Sequence, residues 1–343
     1  MKIKDIELAN ISRFRGELMG AAMLFIILFH VSLPRSDMFF GLRRIGNIGV
    51  DMFLFLSGIG LWFSWTKSRA VANRGTKLVS FYLRRLIRIY PAWLIMACLF
   101  YIPDYLGPAK YSNNFTDLLG DILINWDFWL HDELTFWYIP ATMMLYLFAP
   151  PYMALIRRHP IYRWLPVVMM MWCIIVQWVT PIHQAVGHLE IFWSRVPIFF
   201  IGINMGEAVR QKESMDGASI WMIWLMFGMA LSSSIFLEQV RHGQFPIFVE
   251  RMLYIPLTVT AILLLNRLFR RTPQWFNTIF RMVGALSLEA YLIHSHFVLK
   301  ELEKLGWSYW PKFFVCIAIT LPLAYLLHRL ISIVITPIEK RIK

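Results

Sequence analysis

Apolar residues in this chain come in long runs, not in the strict alternation of a strand or the one-sided stripe of a surface helix. A helix needs about 20 largely apolar residues to cross a bilayer. Ten stretches answer to that description: 18–34, 46–65, 84–103, 134–156, 164–182, 191–207, 219–237, 245–265, 283–299 and 313–335. They predict an all-α, polytopic membrane helix bundle of about ten transmembrane helices. Residues 1–343 then form one integral-membrane domain with no fused soluble hydrolase. The longest connection, 104–133, holds Asp117, Asp121 and Asp127 beside Trp126, Phe128 and Trp129. Rings among carboxylates suit a helix lying at headgroup depth.

Composition strengthens this reading. Hydrophobic residues make up 58% of the chain and charged residues 16%, against about 45–50% and about 25% in soluble domains. A soluble globule of this kind would expose too much apolar surface to stay dispersed, which excludes a cytosolic enzyme. The net charge is +13, but the basic residues sit in short clusters between the apolar runs. That is the pattern of membrane loops and not of a nucleic-acid surface. With the N-terminus inside, inner segments carry 20 Lys/Arg, among them Lys2, Lys4, Arg69, Arg157, Arg163, Arg210 and Lys343, and outer segments carry 9. Both termini are therefore expected in the cytoplasm. Cys98, Cys173 and Cys316 each lie inside an apolar run without CxxC spacing, so neither a metal site nor a disulfide framework is expected. No P-loop, GxGxxG, HExxH or GxSxG motif occurs, which leaves ATPase, dinucleotide, zinc-protease and serine-hydrolase readings without support.

Ionisable groups at membrane depth are costly and mark function by default. His30 lies near the outer end of the first run, in LFIILFHVSLP. It stands 15 residues after Arg15, or about 22 Å along a helix of 1.5 Å rise. Its imidazole can take a proton from a hydroxyl or simply bond a neighbour. Arg85 and Arg88, in FYLRRLIRIYPAW, are three apart and share a helix face. They suit phosphates, and equally an inside-positive signal with snorkelling to lipid. Asp51, in GNIGVDMFLFLSGIG, suits a cap, a partner of Arg43 or Arg44, or a carboxylate that orients a histidine. Arg195 lies in the sixth run, as a buried ion-pair member or a substrate contact. Glu289 and His296 share one face of the ninth run, with His294 off that face. Trp137 and Tyr138 open the fourth run, as interface anchors or sugar platforms. Glycines 46, 49, 58 and 60 permit close helix packing.

Several blocks, in order, resemble the acyltransferase-3 family of polytopic membrane acyltransferases. GNIGVDMFLFLSG (46–58) is similar to the family's GxVGVDxFFxLSG, and FYLRRLIRIYP (81–91) to its FxxRRxxRIxP. WYIPATMMLYLFAP (137–150), RVPIFFIGINMGE (195–207) and VGALSLEAYLIH (283–294) resemble later blocks, so that the likeness spans nearly the whole chain. The family's first-helix histidine falls on His30 and its RxxR pair on Arg85 and Arg88. One departure concerns the arginine that the family often places eleven residues before the histidine. That position is Met19 here, with Arg15 a turn further back.

The resemblance implies transfer of an acyl group, usually acetyl, from cytoplasmic acetyl-CoA to a hydroxyl of an extracytoplasmic or lipid-linked glycan. It places the protein in a bacterial inner membrane, among membrane lipids, without metal or nucleic acid, and a homo-oligomer is compatible with it. Catalytic expectations fall on His30, Asp51 and Glu289. Donor binding falls on Arg85, Arg88 and Arg15, and substrate binding on Arg195, Trp137 and Tyr138. The rival reading is a transporter or flippase of a lipid-linked sugar or small solute, its buried charges lining a conduit. No internal repeat of the kind common in transporters is evident.

Overall fold

The computed structural model describes residues 6–67, 74–107 and 110–342. Lys2, Lys4, Arg69 and Lys343 of the charge bias lie outside them. The bundle is helical apart from a two-residue antiparallel pairing of Ile6–Glu7 with Ser214–Met215. Twelve helices carry the argument. They are α1 (Arg15–His30), α2 (Ile48–Lys67), α3 (Arg74–Leu106), α4 (Phe115–Ile124), α5 (Tyr138–Arg158), α6 (Leu165–Trp178), α7 (Val196–Arg210), α8 (Gly217–Gln239), α9 (Ile247–Phe269), α10 (Gln274–Ala285), α11 (Ser287–Ile293) and α12 (Tyr309–Ile342).

Among the described residues, seven spans are long and apolar enough to cross a membrane. The number rises to nine if two bent pairs each count as one span. The first pair bends by 44° between Trp193 and α7, the second by 60° between α10 and the stretch Ser287–Glu303. Helix α1, of 16 residues, covers only about 24 Å. It starts three residues before the first predicted run and stops at His30. There Val31 turns extended at ψ 127° and Pro34 lies just beyond. Its last carbonyls are not left bare. Tyr309 Oη donates to Leu28 O (2.7 Å) and Arg43 Nε to Val31 O (2.7 Å).

Burial separates centre from rim. The span Phe40–Thr66 is 83% buried, whereas Pro160–Trp178, Gly217–Gln239 and Tyr309–Pro337 are 17–22% buried. Small residues make the centre possible. A Cβ on Gly49 would overlap the Ala22 carbonyl of α1, and one on Gly58 the Phe199 carbonyl of α7. Backbone contact of this closeness is how helices associate where lipid is as apolar as leucine.

The acidic connection forms a helix as expected. Asn114 caps α4, its Oδ1 accepting from the Asp117 N–H (3.0 Å), and Asn125 ends it at φ 51°. Phe115, Leu119 and Leu123, four apart, form an exposed stripe, while Leu118 and Ile122 face the core. The helix is thus apolar toward both bundle and surroundings, as an interfacial helix must be. Beneath it Asp121 is fully covered. Its carboxylate accepts from Ser112 Oγ (2.8 Å) and the Asp127 N–H (3.1 Å). Burial nonetheless pushes its pKa up to about 6.

Candidate functional site

The site is built at the two ends of α1. At one end His30 meets a second histidine that the sequence did not single out as its partner. His294 is buried at the junction of α11 with a π-helix, His294–Leu299. Its Nδ1–H donates to the carbonyls of Ala290 (3.0 Å) and Tyr291 (2.9 Å). Two acceptors fix the proton on Nδ1, so Nε2 presents a lone pair. That lone pair lies 3.2 Å from His30 Nδ1, which also lies 2.8 Å from the Ile26 carbonyl. With acceptors on both approaches, His30 Nδ1 must carry its ring's proton. His30 Nε2 is then the basic nitrogen, and among the described residues it has no hydrogen-bond partner. The two histidines lie on different helices, 264 residues apart, so no spacing within one helix reveals the pair.

At the other end of α1 three guanidinium groups converge. Arg15, Arg85 and Arg88 lie close enough for their charges to act on one another, with Tyr146 beside Arg15 and Arg85. Arg85 sits over the Phe81 ring at 5.0 Å. Arg15 has a buried Nε without a partner, and its head occupies space left by Gly60, where a Cβ would come within 2.9 Å of Nη2. Among the described residues no carboxylate pairs with any of the three. The expected donor-binding residues are therefore brought together as an uncompensated cationic cluster. Met19, at the family's arginine position, packs against the apolar core, and Arg15 supplies the charge from a turn away.

Tyrosines connect the ends. Tyr138 lies within electrostatic reach of Arg15 and Arg88. Its N–H donates to Tyr291 Oη (3.4 Å), and the two rings stand 5.2 Å apart. The Tyr291 carbonyl is one of the acceptors that fix His294.

The other predicted residues lie apart from the histidine pair. Asp51 faces Arg195, not Arg43, Arg44 or a histidine (Oδ1 to Nε, 3.5 Å). Arg195 is wholly enclosed. Its Nη2 donates to Asn47 Oδ1 (2.8 Å), its Nη1 to the Ile191 carbonyl (3.1 Å), and its head covers the Trp137 ring at 4.9 Å. One face of the Trp137 ring is thus covered by an arginine, and both Trp137 and Tyr138 are buried. Glu289 does bond a histidine, but it is His328, whose Nδ1 donates to Oε1 at 2.8 Å. His296 packs against Phe100 (5.2 Å) and Phe136 (4.6 Å). Phe136 holds φ 54°, a conformation that costs a bulky residue about 1–3 kcal/mol. The carbonyl before it, of Thr135, is pinned by Asn125 Nδ2 (2.7 Å).

Residues 20–329, nearly the whole chain, match the family model described as acyltransferase domain. No curated protein and no solved structure matches the chain.

Proposed function

The chain belongs to the acyltransferase-3 family, as an integral membrane acyltransferase, and from that premise we propose that it moves an acetyl group from acetyl-CoA to a hydroxyl of an extracytoplasmic or lipid-linked glycan. Both termini, on this reading, face the cytoplasm of a bacterial inner membrane, which sets the arginine cluster on the donor's side and His30 toward the acceptor.

One observation carries the reading. The Nε2 of half-buried His30, paired with buried His294, stands at one end of a 16-residue helix, and three arginines without a counter-ion among the described residues stand at the other. Arginine matches phosphate in shape and keeps its charge, so Arg15, Arg85 and Arg88 grip the donor's diphosphate. On this reading the pantetheine arm carries the thioester along α1 past Tyr146, Tyr138 and Tyr291. At the far end the acceptor O–H gives its proton to His30 Nε2 as its oxygen bonds the thioester carbonyl carbon. The C–S bond then breaks, and the proton passes to the departing thiolate. Arg43, within electrostatic reach of His30, favours the oxyanion formed between these events. His294 touches no substrate and is a positioning residue, its lone pair keeping the His30 proton on Nδ1.

The test uses the purified chain in lipid nanodiscs with acetyl-labelled acetyl-CoA and envelope glycans. The expected result is free CoA together with an acetyl mass gain on one glycan. Uptake of a solute into vesicles with no CoA release under any acceptor would contradict the proposal and favour transport.

A further inference from the structure

A second basic site lies across α2 from the arginine cluster. A cavity of about 330 Å³ opens there between the ends of α2, α5 and α7, with Arg157, Arg163, Arg210, Glu207 and Trp62 in its walls. The one carboxylate among the described residues of the walls is committed. Glu207 accepts from Arg210 Nη2 (2.6 Å), Gln211 Nε2 (2.8 Å) and Trp62 Nε1 (3.1 Å). Three arginines and one glutamate leave the walls at +2.

Arg163 is the residue held for a ligand. Asn204 Nδ2 donates to its backbone carbonyl (2.9 Å), and Tyr152 Oη donates to Asn204 Oδ1 (2.8 Å), so the chain is clamped at this point. Its guanidinium makes one long contact, 3.5 Å to the Asn204 carbonyl, and no ion pair with a carboxylate among the described residues. Such a group in a concave site with net positive charge recognises phosphate.

The two basic sites share α2, with Gly60 against Arg15 and with Trp62 and Thr66 in the wall of the cavity. Trp65, between them in sequence, meets Phe81 edge-on at 5.8 Å, and Arg85 sits over that same Phe81 ring. A ligand with one anionic group in each site must carry two separate phosphate groups. Coenzyme A does so, with a diphosphate in its chain and a separate phosphomonoester on its ribose. We propose that the Arg157–Arg163–Arg210 cavity binds the ribose 3′-phosphate of the acyl donor. This assignment rests on the donor reading above. It makes the cavity the element that tells acyl-CoA from thioesters lacking the ribose phosphate.

The test compares acetyl-CoA with acetyl-dephospho-CoA, which lacks that one phosphate. Binding is measured on the full chain in phosphatidylcholine nanodiscs, which contain no anionic headgroups. The wild type is expected to bind acetyl-CoA about tenfold or more tightly than the dephospho compound, the worth of a charge-assisted contact. In Arg163→Gln the ratio falls to about one, and Arg157→Gln, with the clamp untouched, lowers it in the same direction. A wild type that binds both compounds equally, or variants that keep the full ratio, would overturn the inference while leaving the donor reading intact. Effects of the variants that appear only in discs containing phosphatidylglycerol would assign the cavity to lipid headgroups and overturn it as well. Failure of the wild type to bind either compound would reject the donor reading itself.

Discussion

Two groups of arginines sit in this bundle, and their surroundings differ in kind. Arg44, Arg195 and Arg251 share a buried network with Asp51, Glu238 and Glu250, at separations of 2.8–3.8 Å. Positive and negative charges there are equal in number. Arg15, Arg85 and Arg88 have one another, tyrosines and a phenylalanine ring, and among the described residues no carboxylate. A low-dielectric interior makes an isolated charge expensive. The first group is therefore compensated from within the protein and holds helices together. The second, with the Arg15 Nε enclosed, Arg85 partly covered and Arg88 exposed, is open to compensation by something that binds. Asp51, expected at the catalytic site, and Arg195, expected at the substrate, face each other within the first group.

The contrast breaks most visibly at Arg195. Replacing it by alanine strands Asp51, whose side chain is 3% exposed, and should cost about 3–5 kcal/mol, read as a large fall in melting temperature. A stable Arg195→Ala protein with impaired transfer would move this arginine from framework to site. Arg85→Gln and Arg88→Gln should do the reverse. Stability should hold or rise as like charges separate, while acetyl-CoA affinity falls about 10–100-fold for each arginine, measured by calorimetry. Loss of stability with unchanged affinity would erase the distinction. The smallest effect concerns a covered charge outside the spans. The Asp121 carboxyl, at about 6 when folded and 3.8 when free, holds its proton more tightly in the native state. Its contribution is full below about pH 3.8 and is lost as pH climbs through about 6. Asp121→Asn should therefore gain on the order of 1 kcal/mol over the wild type at pH 7, and less at pH 4, by thermal melts at the two values.

What the sequence made legible follows the same division. Charges in apolar runs stand out one by one, so His30, Arg15, Arg85 and Arg88 could be named before any fold was known, and the spacing of Arg85 and Arg88 gave their shared face. The acidic connection also read correctly as a helix, because rings and carboxylates alternate in it. Pairings across helices did not show. Asp51 finds Arg195 because Gly58 lets α2 and α7 approach until their backbones touch, and no local pattern carries that. His294 meets His30 across helices far apart in the chain. The cavity around Arg163 was hidden for another reason. Arg157, Arg163 and Arg210 read as ordinary inner-loop charges, and it took the clamp by Asn204 and the commitment of Glu207 to set them apart.

The central claim is that His30 takes the acceptor's proton from a donor-loaded site whose phosphates are held at the other end of the helix. It is tested most directly by single-turnover transfer from acetyl-CoA in His30→Ala, with donor affinity measured on the same preparation. The account predicts donor affinity within error of the wild type and a transfer rate lower by about 10²–10⁴-fold, the usual worth of a general base. Transfer at the wild-type rate in a folded, donor-binding His30→Ala protein would contradict it.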